Sequence, residues 1–349
     1  MYEIIEEGKA KIKVKKVEKI SKEMGVFYNP VMIHNRDISV LLLSCIDKKN
    51  MQIGLPLAGT GVRGIRFLLE LNKNKIENIS FNDISKDAVK SIKKNLLLNN
   101  IPLKNKIKIF NEDANLFLLN STGFDYIDVD PFGSPNFILD AAIKRIARDG
   151  ILAVTATDSA ALTGTYPKVC KRKYWAKPLR GELMHEIGLR ILIRKAQLVG
   201  AQYEKALVPV FSYFKDHYFR VFFRCVKGKK EVDKLIEQHD IFESAGPLWL
   251  GELWDKKLVN CMYKSLLKNQ LYDKALLKFL KIIEIESKIS TVGFYDIHKL
   301  VKKYKVKEIP KKDLLIKKIK KKGYRVSETH FLDTGLKSNI LLKDLIRIL

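Results

Sequence analysis

Apolar positions along the chain fall into short continuous blocks, each followed by a longer stretch with helical spacing. Residues 7–14 come first and alternate basic with small or apolar side chains, the pattern of a half-solvated strand. The turn Val26-Phe27-Tyr28-Asn29-Pro30 breaks it, and residues 31–46 read as a helix carrying His34, Asn35, Arg36 and Asp37 on its first turns. Residues 51–57 then form a brief apolar strand, and helical periodicity resumes after Gly59-Thr60-Gly61. The same alternation continues through strands at 79–83, 107–110, 126–129 and 150–157, with helices at 86–98 and 135–148. Ser85 suits the N-cap of the first of these helices, and Asp87 its first turn. Residues 163–175 read as a loop and 181–199 as a helix. The aromatic, β-branched runs at 206–211 and 218–226 read as a hairpin turning at 215–217. Strands alternating with helices predict a doubly wound α/β domain.

Past Gly228 the pattern changes. Residues 246–251 form a turn-rich knot, 256–289 one or two amphipathic helices, 294–304 and 311–322 two more helices, and 324–331 a strand. Helix, helix, strand resembles a winged-helix arrangement. The 349 residues therefore divide into 1–230 and a smaller 231–349.

Charge sharpens this picture. Lys and Arg number 65 against 39 acids, a formal +26 that favours a polyanionic partner, although lysine far outnumbers arginine and proteome bias accounts for part of the excess. From Lys299 to Arg325 there are 13 cations and two acids, Glu308 and Asp313, which on a helical pair suits phosphate. The 163–175 stretch interleaves cations with Tyr166, Tyr174 and Trp175, suiting phosphate contact plus stacking. Cys45, Cys170, Cys225 and Cys261 are scattered without a C-x-x-C pair, which argues against a disulfide framework or a structural zinc and fits a reducing cytoplasm. The first residues lack a cationic region followed by an apolar core, and no apolar run approaches the ~20 residues of a bilayer span, so a soluble protein is expected.

Candidate chemistry gathers at the predicted carboxyl ends of the strands. Gly59, Gly61 and Gly64 have G-x-G-x-x-G spacing, a weak signal alone, but strand and helix flank it. Asp83 ends the next strand about 20 residues on, where a ribose-binding carboxylate belongs. Asp113 follows the third strand, placed for the amino group of an adenine. Each acid also reads as a helix cap. The fourth strand stops at Asp130-Pro131-Phe132-Gly133-Ser134-Pro135. Asp130 and the Pro131 carbonyl are placed to accept protons from an exocyclic amine, and Phe132 offers a face to an unstacked base, which points to amine methylation. A tight turn accounts for the same residues equally well. Arg36 is a candidate because it follows an aromatic turn; His185 reads as structural.

These motifs, with Phe27-Tyr28-Asn29-Pro30, Asn35-Arg36-Asp37, Arg63, Arg66, Asn82-Asp83, Asp113-Ala114-Asn115, Thr155 to Asp158, Arg180 to Glu186 and Lys215 to Arg220, resemble the tRNA (guanine-26-N2) dimethyltransferases. The resemblance extends through Gly246 to Gly251 and Thr329-His330-Phe331 and covers most of the chain. It implies an α/β fold: a Rossmann-like class I methyltransferase domain with an N-terminal extension (1–230), and a smaller C-terminal α+β domain (231–349) that binds tRNA and carries the winged-helix-like element. It implies S-adenosyl-L-methionine as cofactor, held by Arg36, Arg66, Asp83, Asp113 and Ala114, and tRNA as partner. Phe27 and Phe132 would sandwich the guanine, with Asp130, Pro131 and Phe132 as the catalytic set. Leu55 stands where relatives commonly have an acid, and the cysteine cluster of some relatives is reduced to Cys261, so no metal is expected. A monomer is favoured. Rival readings are an amino-methyltransferase on DNA or another RNA position, and an RNA-binding protein without catalysis. A nicotinamide dehydrogenase lacks a hydride-transfer site.

Overall fold

The structure is a computed structural model that describes residues 2–15, 26, 28–104, 106–269, 271–306 and 308–349. Strands β1 (Tyr2–Glu7) and β2 (Ala10–Lys15) pair antiparallel, and β2 alternates buried and exposed side chains, as expected of it. A single 3₁₀ turn, Pro30–Met32, leads into α1 (Ile33–Cys45). The main sheet is built from β3 (Met51–Leu55), β4 (Ile76–Asn82), β5 (Ile107–Phe110), β6 (Phe124–Val129), β7 (Ile146–Ala156), β8 (Lys205–Lys215) and β9 (Tyr218–Lys227). Their order is β5-β4-β3-β6-β7-β9-β8. The first five strands run parallel, and β9 and β8 join antiparallel at one edge. Between them lie α2 (Val62–Glu70), α3 (Lys86–Leu98), α4 (Ala114–Leu119), α5 (Asn136–Arg145), α6 (Ser159–Leu162), α7 (Pro167–Tyr174) and α8 (Met184–Ala201). This is the expected Rossmann-like α/β domain, and the strand order reverses between β3 and β6, where such sheets open a ligand crevice.

The glycine turn is sterically determined. Gly61 has φ +80°, and a Cβ at Gly64 would lie 2.3 Å from the Phe81 ring, so α2 can pack on β4 only without a side chain there. Ser85 caps α3 by accepting from Ala88 N.

Four expectations are corrected. Residues 167–174 are helical rather than loop, because Pro167 occupies the first turn, where its missing N–H costs nothing, and Trp175 in the left-handed region (φ 57°) ends the helix. Tyr174 is fully buried, so the exposed aromatics there are Tyr166 and Trp175 alone. The knot at 246–251 is largely strand, Ala245–Trp249, paired antiparallel with His239–Phe242. Cys45 and Cys261 form a disulfide, since α1 packs on a helix 216 residues further along the chain.

After α9 (Lys229–Ile236) come β10 (His239–Phe242), β11 (Ala245–Trp249), α10 (Lys256–Leu267) and α11 (Lys274–Glu286). Then follow β12 (Tyr295–Asp296), α12 (Ile297–Lys303), α13 (Lys312–Lys321), β13 (Val326–Thr329), β14 (Leu332–Ser338) and α14 (Leu342–Ile348). Sheet order β12-β14-β13 with α12 and α13 gives the winged-helix-like element; β14 and α14 complete it beyond the predicted strand. Its own small core includes Ile297, Val301, Leu315, Ile319 and Leu345, whereas Met262, Leu276 and Ile283 of α10 and α11 join the large core. A buried ion pair ties the parts together: Glu186 of α8 receives Lys337 of β14 at 3.1 Å and Arg190 at 2.9 Å. No helix among the described residues is long and apolar enough to cross a membrane.

Candidate active site

β6 ends at Val129, and the chain turns across the sheet edge as Asp130 to Ser134. The turn is clamped to the end of β7: Gly133 N donates to Thr157 Oγ1 at 2.7 Å, and Thr157 N to Gly133 O at 2.9 Å. Tyr174 donates to Asp158 and lies 3.2 Å from Ser134 Oγ, and Asn136 Nδ2 donates to Lys173 O at 2.7 Å. Pro131 is buried, while Phe132 is 43% exposed. A cavity of about 290 Å³ opens in front of this turn, and Arg36, Asp130, Pro131 and Phe132 all line it. A Cβ at Gly133 would meet nothing within 4 Å beyond its chain neighbours, which leaves open space at this point of the turn.

Asp130 is held from behind by charges that the sequence reading did not assign. Arg63 binds Asp130 Oδ2 through Nη2, donates to Ser39 Oγ from Nη1 at 2.8 Å, and brings Nε to 3.4 Å from Asp128 Oδ2. Arg220 clamps both oxygens of Asp128 at 3.0 and 2.7 Å and donates to Thr155 Oγ1 at 2.7 Å; Tyr126 also donates to Asp128. Burial drives the Asp128 carboxyl upward, but Arg220 and then Arg63 outweigh it and hold it below the usual carboxylate range. A signal was available. Asp128 and Arg220 each interrupt an apolar run, 126–129 and 218–223, and a charge inside a buried run implies a partner of opposite sign.

On the other flank, Arg36 makes a bidentate pair with Glu7 at 2.6 Å to each oxygen, donates to Asn29 O at 3.1 Å, and stacks over the Tyr28 ring. Glu7 is thereby kept low against its burial, by Arg36 and then Arg66. Arg66 has no exposed surface and does not line the cavity. Its donors go to Glu70 (2.7 Å), Asp37 (2.6 Å) and Glu7 (3.0 Å), so it reaches the site through the carboxylate it shares with Arg36. Thr60 lines the cavity, and its Oγ1 is buried without a hydrogen-bond partner among the described residues. Leu55, in place of an acid, lines it too.

Asp83, Asp113 and Ala114 lie at the neighbouring strand ends, outside the cavity lining. Asp83 accepts from Gly59 N (2.9 Å) and Ser85 N (3.0 Å), bracing the glycine turn. Asp113 Oδ1 caps α4 through Asn115 N at 2.9 Å, and Ala114 is buried at that helix start. Asn82 links the three turns: its Nδ2 donates to Pro56 O and Glu112 O, both at 3.0 Å. Phe27 lies outside the described residues. His217, at the β8–β9 turn, adds an unpredicted imidazole to the lining, and His185 stacks on Phe214, a packing role.

An apolar and aromatic cavity lined also by two carboxylates, Asp128 and Asp130, and two arginines, Arg36 and Arg63, suits an aromatic amine beside a cofactor that carries a carboxylate. The profile of a family described as N2,N2-dimethylguanosine tRNA methyltransferase matches residues 8–244 and 239–349. A tRNA (guanine(26)-N(2)/guanine(27)-N(2))-dimethyltransferase of Aquifex aeolicus is 40% identical, over 99% of this chain and 95% of its own length. A tRNA (guanine(26)-N(2))-dimethyltransferase of Pyrococcus horikoshii is 39% identical, over 96% and 94%. The solved structure of Trm1 from Pyrococcus horikoshii with S-adenosyl-L-methionine superposes with a TM-score of 0.89 at 37% identity, covering 99% of both chains.

Proposed function

The chain belongs to the N2,N2-dimethylguanosine tRNA methyltransferase family, and we propose that its reaction runs at the Asp130 turn. It is a tRNA (guanine-26-N2) dimethyltransferase that takes methyl groups from S-adenosyl-L-methionine and forms N2-methylguanine, then N2,N2-dimethylguanine. When bound, the cofactor supplies a methyl group made electrophilic by a positive sulfur. The residues fit it: Arg36 offers a cation for its carboxylate, and Thr60 Oγ1 is an unsatisfied buried hydroxyl in the same lining. Asp83 takes the ribose hydroxyls, and Asp113 with Ala114 takes the adenine. Arg66 holds Glu7 and so orients Arg36.

The guanine rests on Phe132, with Phe27 assigned to its other face by the resemblance. With Oδ2 of Asp130 taken by Arg63, Oδ1 and the Pro131 carbonyl accept the two N2 hydrogens, drawing the lone pair out of conjugation with the ring. Each methylation releases one N2 proton, which the Asp130 carboxylate can take and the Pro131 carbonyl cannot; after the first, a single hydrogen remains and the space at Gly133 takes the new methyl. The basic 231–349 region grips the tRNA; the protein works as a cytoplasmic monomer without a structural metal.

The convergence of Arg36, Asp130, Pro131 and Phe132 on one cavity carries this reading. Incubating unmodified tRNA with protein and cofactor, then analysing nucleosides by mass spectrometry, tests it. N2-methyl- and N2,N2-dimethylguanosine mapped to position 26 are expected; no product on tRNA, or methylated adenine in DNA, refutes it. Mapping also separates position 26 from 27, which the name of the Aquifex relative adds.

A further inference from the structure

From residue 163 to 180 the chain carries six cations, Lys168, Lys171, Arg172, Lys173, Lys177 and Arg180, and no acid. Folding sorts them. Helix α7 turns Cys170 and Tyr174 inward, with no exposed surface, and Tyr174 and the Lys173 carbonyl join it to Ser134, Asp158 and Asn136 around the catalytic turn. Lys168, Lys171 and Arg172 face solvent, and none has a carboxylate partner among the described residues. Lys173 does have one, Asp158 at 3.2 Å. Exposed aromatic residues flank the helix at both ends, Tyr166 at 59% and Trp175 at 48%, with the Lys195 ammonium over the Trp175 ring.

Unneutralised cations on a rigid eight-residue helix repel one another and gain nothing for the fold. Such a face is favourable against a line of phosphates, where each contact releases condensed counterions and aromatic residues at the edges stack on unpaired bases. Its position matters as much as its charge. The helix is hydrogen-bonded directly to the turn bearing Phe132, on which the target base rests, so phosphates on α7 belong to nucleotides next to that base.

We propose that α7 and its flanking aromatics form an RNA-docking face of the methyltransferase domain, separate from the basic run at 299–325. It grips the backbone beside the target nucleotide, on a helix already joined to the Asp130 turn and the start of α5 through Tyr174 and Asn136. The inference rests on tRNA being the substrate.

The test is the triple variant Lys168→Ala, Lys171→Ala, Arg172→Ala in the full-length protein, with tRNA affinity and steady-state methylation measured across ionic strength. Three lost phosphate contacts should lower the slope of log affinity against log salt by about 2 to 3. KM for tRNA should rise about 10- to 100-fold, equivalent to about 1.4 to 2.7 kcal/mol, while cofactor affinity and kcat at saturating tRNA hold. An unchanged slope with an unchanged KM overturns the proposal. The charge-reversed triple to Glu should exceed the alanine triple in both effects; equal or smaller effects overturn it as well. A wild-type protein that leaves tRNA unmethylated defeats the functional reading instead, and the salt slope of tRNA binding still decides the docking face.

Discussion

Replacing Arg63 with Gln should separate positioning of Asp130, the proposed catalytic carboxylate, from cofactor binding. Among the described residues Arg63 alone bridges Asp130, Asp128 and Ser39, and the Arg63 and Asp130 side chains are only 11% and 19% exposed. Unit charges 4 Å apart at an effective dielectric near 20 attract by about 4 kcal/mol, which sets a ceiling on the effect. The fold loses much less. Asp128 keeps both Arg220 contacts and Tyr126, so no buried carboxylate is stranded, and the stability loss should be about 1–2 kcal/mol rather than the ~3–5 of a broken buried pair. Catalysis should suffer more, because an Asp130 anchored at neither oxygen can drift by about 1 Å, a displacement that costs about 100-fold in rate. Single-turnover methyl transfer to tRNA, read beside calorimetric cofactor binding, should show that loss with binding intact. Arg63→Lys should recover only part, since an ammonium cannot span three acceptors. A Gln variant within about threefold of wild type in single turnover would refute the positioning role.

Asp130→Asn keeps the shape of the site and should bind cofactor normally yet lose methyl transfer by about 100-fold or more; near-normal turnover would sink its assignment as acceptor. Glu186 should govern acid stability. Burial pushes its carboxyl up, but Lys337 and Arg190 bring it down from the ordinary 4.5 to about 2, so its stabilisation is complete above pH 4.5 and is lost as pH falls towards 2. That gap corresponds to about 3 kcal/mol, and denaturant titrations should show Glu186→Gln to be less stable at pH 6 with a flatter profile between pH 4.5 and 2. Replacing Lys317, Lys318, Lys320 and Lys321 of α13 with Ala should weaken tRNA binding and flatten its salt dependence, detectable by filter binding; unchanged affinity would make α13 an ordinary solvated face.

The parallel core was legible because its signals are local. Ser85 caps α3, β5 runs from Ile107 to Phe110, and Asp130 stands at the end of an apolar strand, all within a few residues of the pattern that announces them. What escaped was long-range. Glu7 looks like any polar residue of an amphipathic strand, and only folding brings Arg36, 29 positions away, against it. Asp128 and Arg220 are 92 positions apart. Both faces of the central strands are covered, so strict alternation, which assigns a polar residue to solvent, fails for them. Lysines and a proline disguised α7 as a loop. Strand β14, with Gly335 and few β-branched residues, is held by pairing on both sides rather than by propensity.

The proposed assignments give binding and chemistry to two separate sets of charges. Asp128, Asp130, Arg63 and Arg220 sum to zero, and all four are mostly or wholly withdrawn from water, so bulk salt screens them weakly. The +26 of the whole chain does not extend into the cavity. It appears instead on exposed, unpaired side chains such as Lys168, Lys171 and Arg172, where salt competes directly with phosphate. A neutral pocket is what the reaction needs. A nearby uncompensated cation would oppose a cofactor whose reactive sulfur is already positive, and an uncompensated second carboxylate would repel Asp130. The arginine that neutralises Asp130 also occupies its Oδ2, so in the proposed reaction one side chain sets both the charge balance and which oxygen is left for the amine.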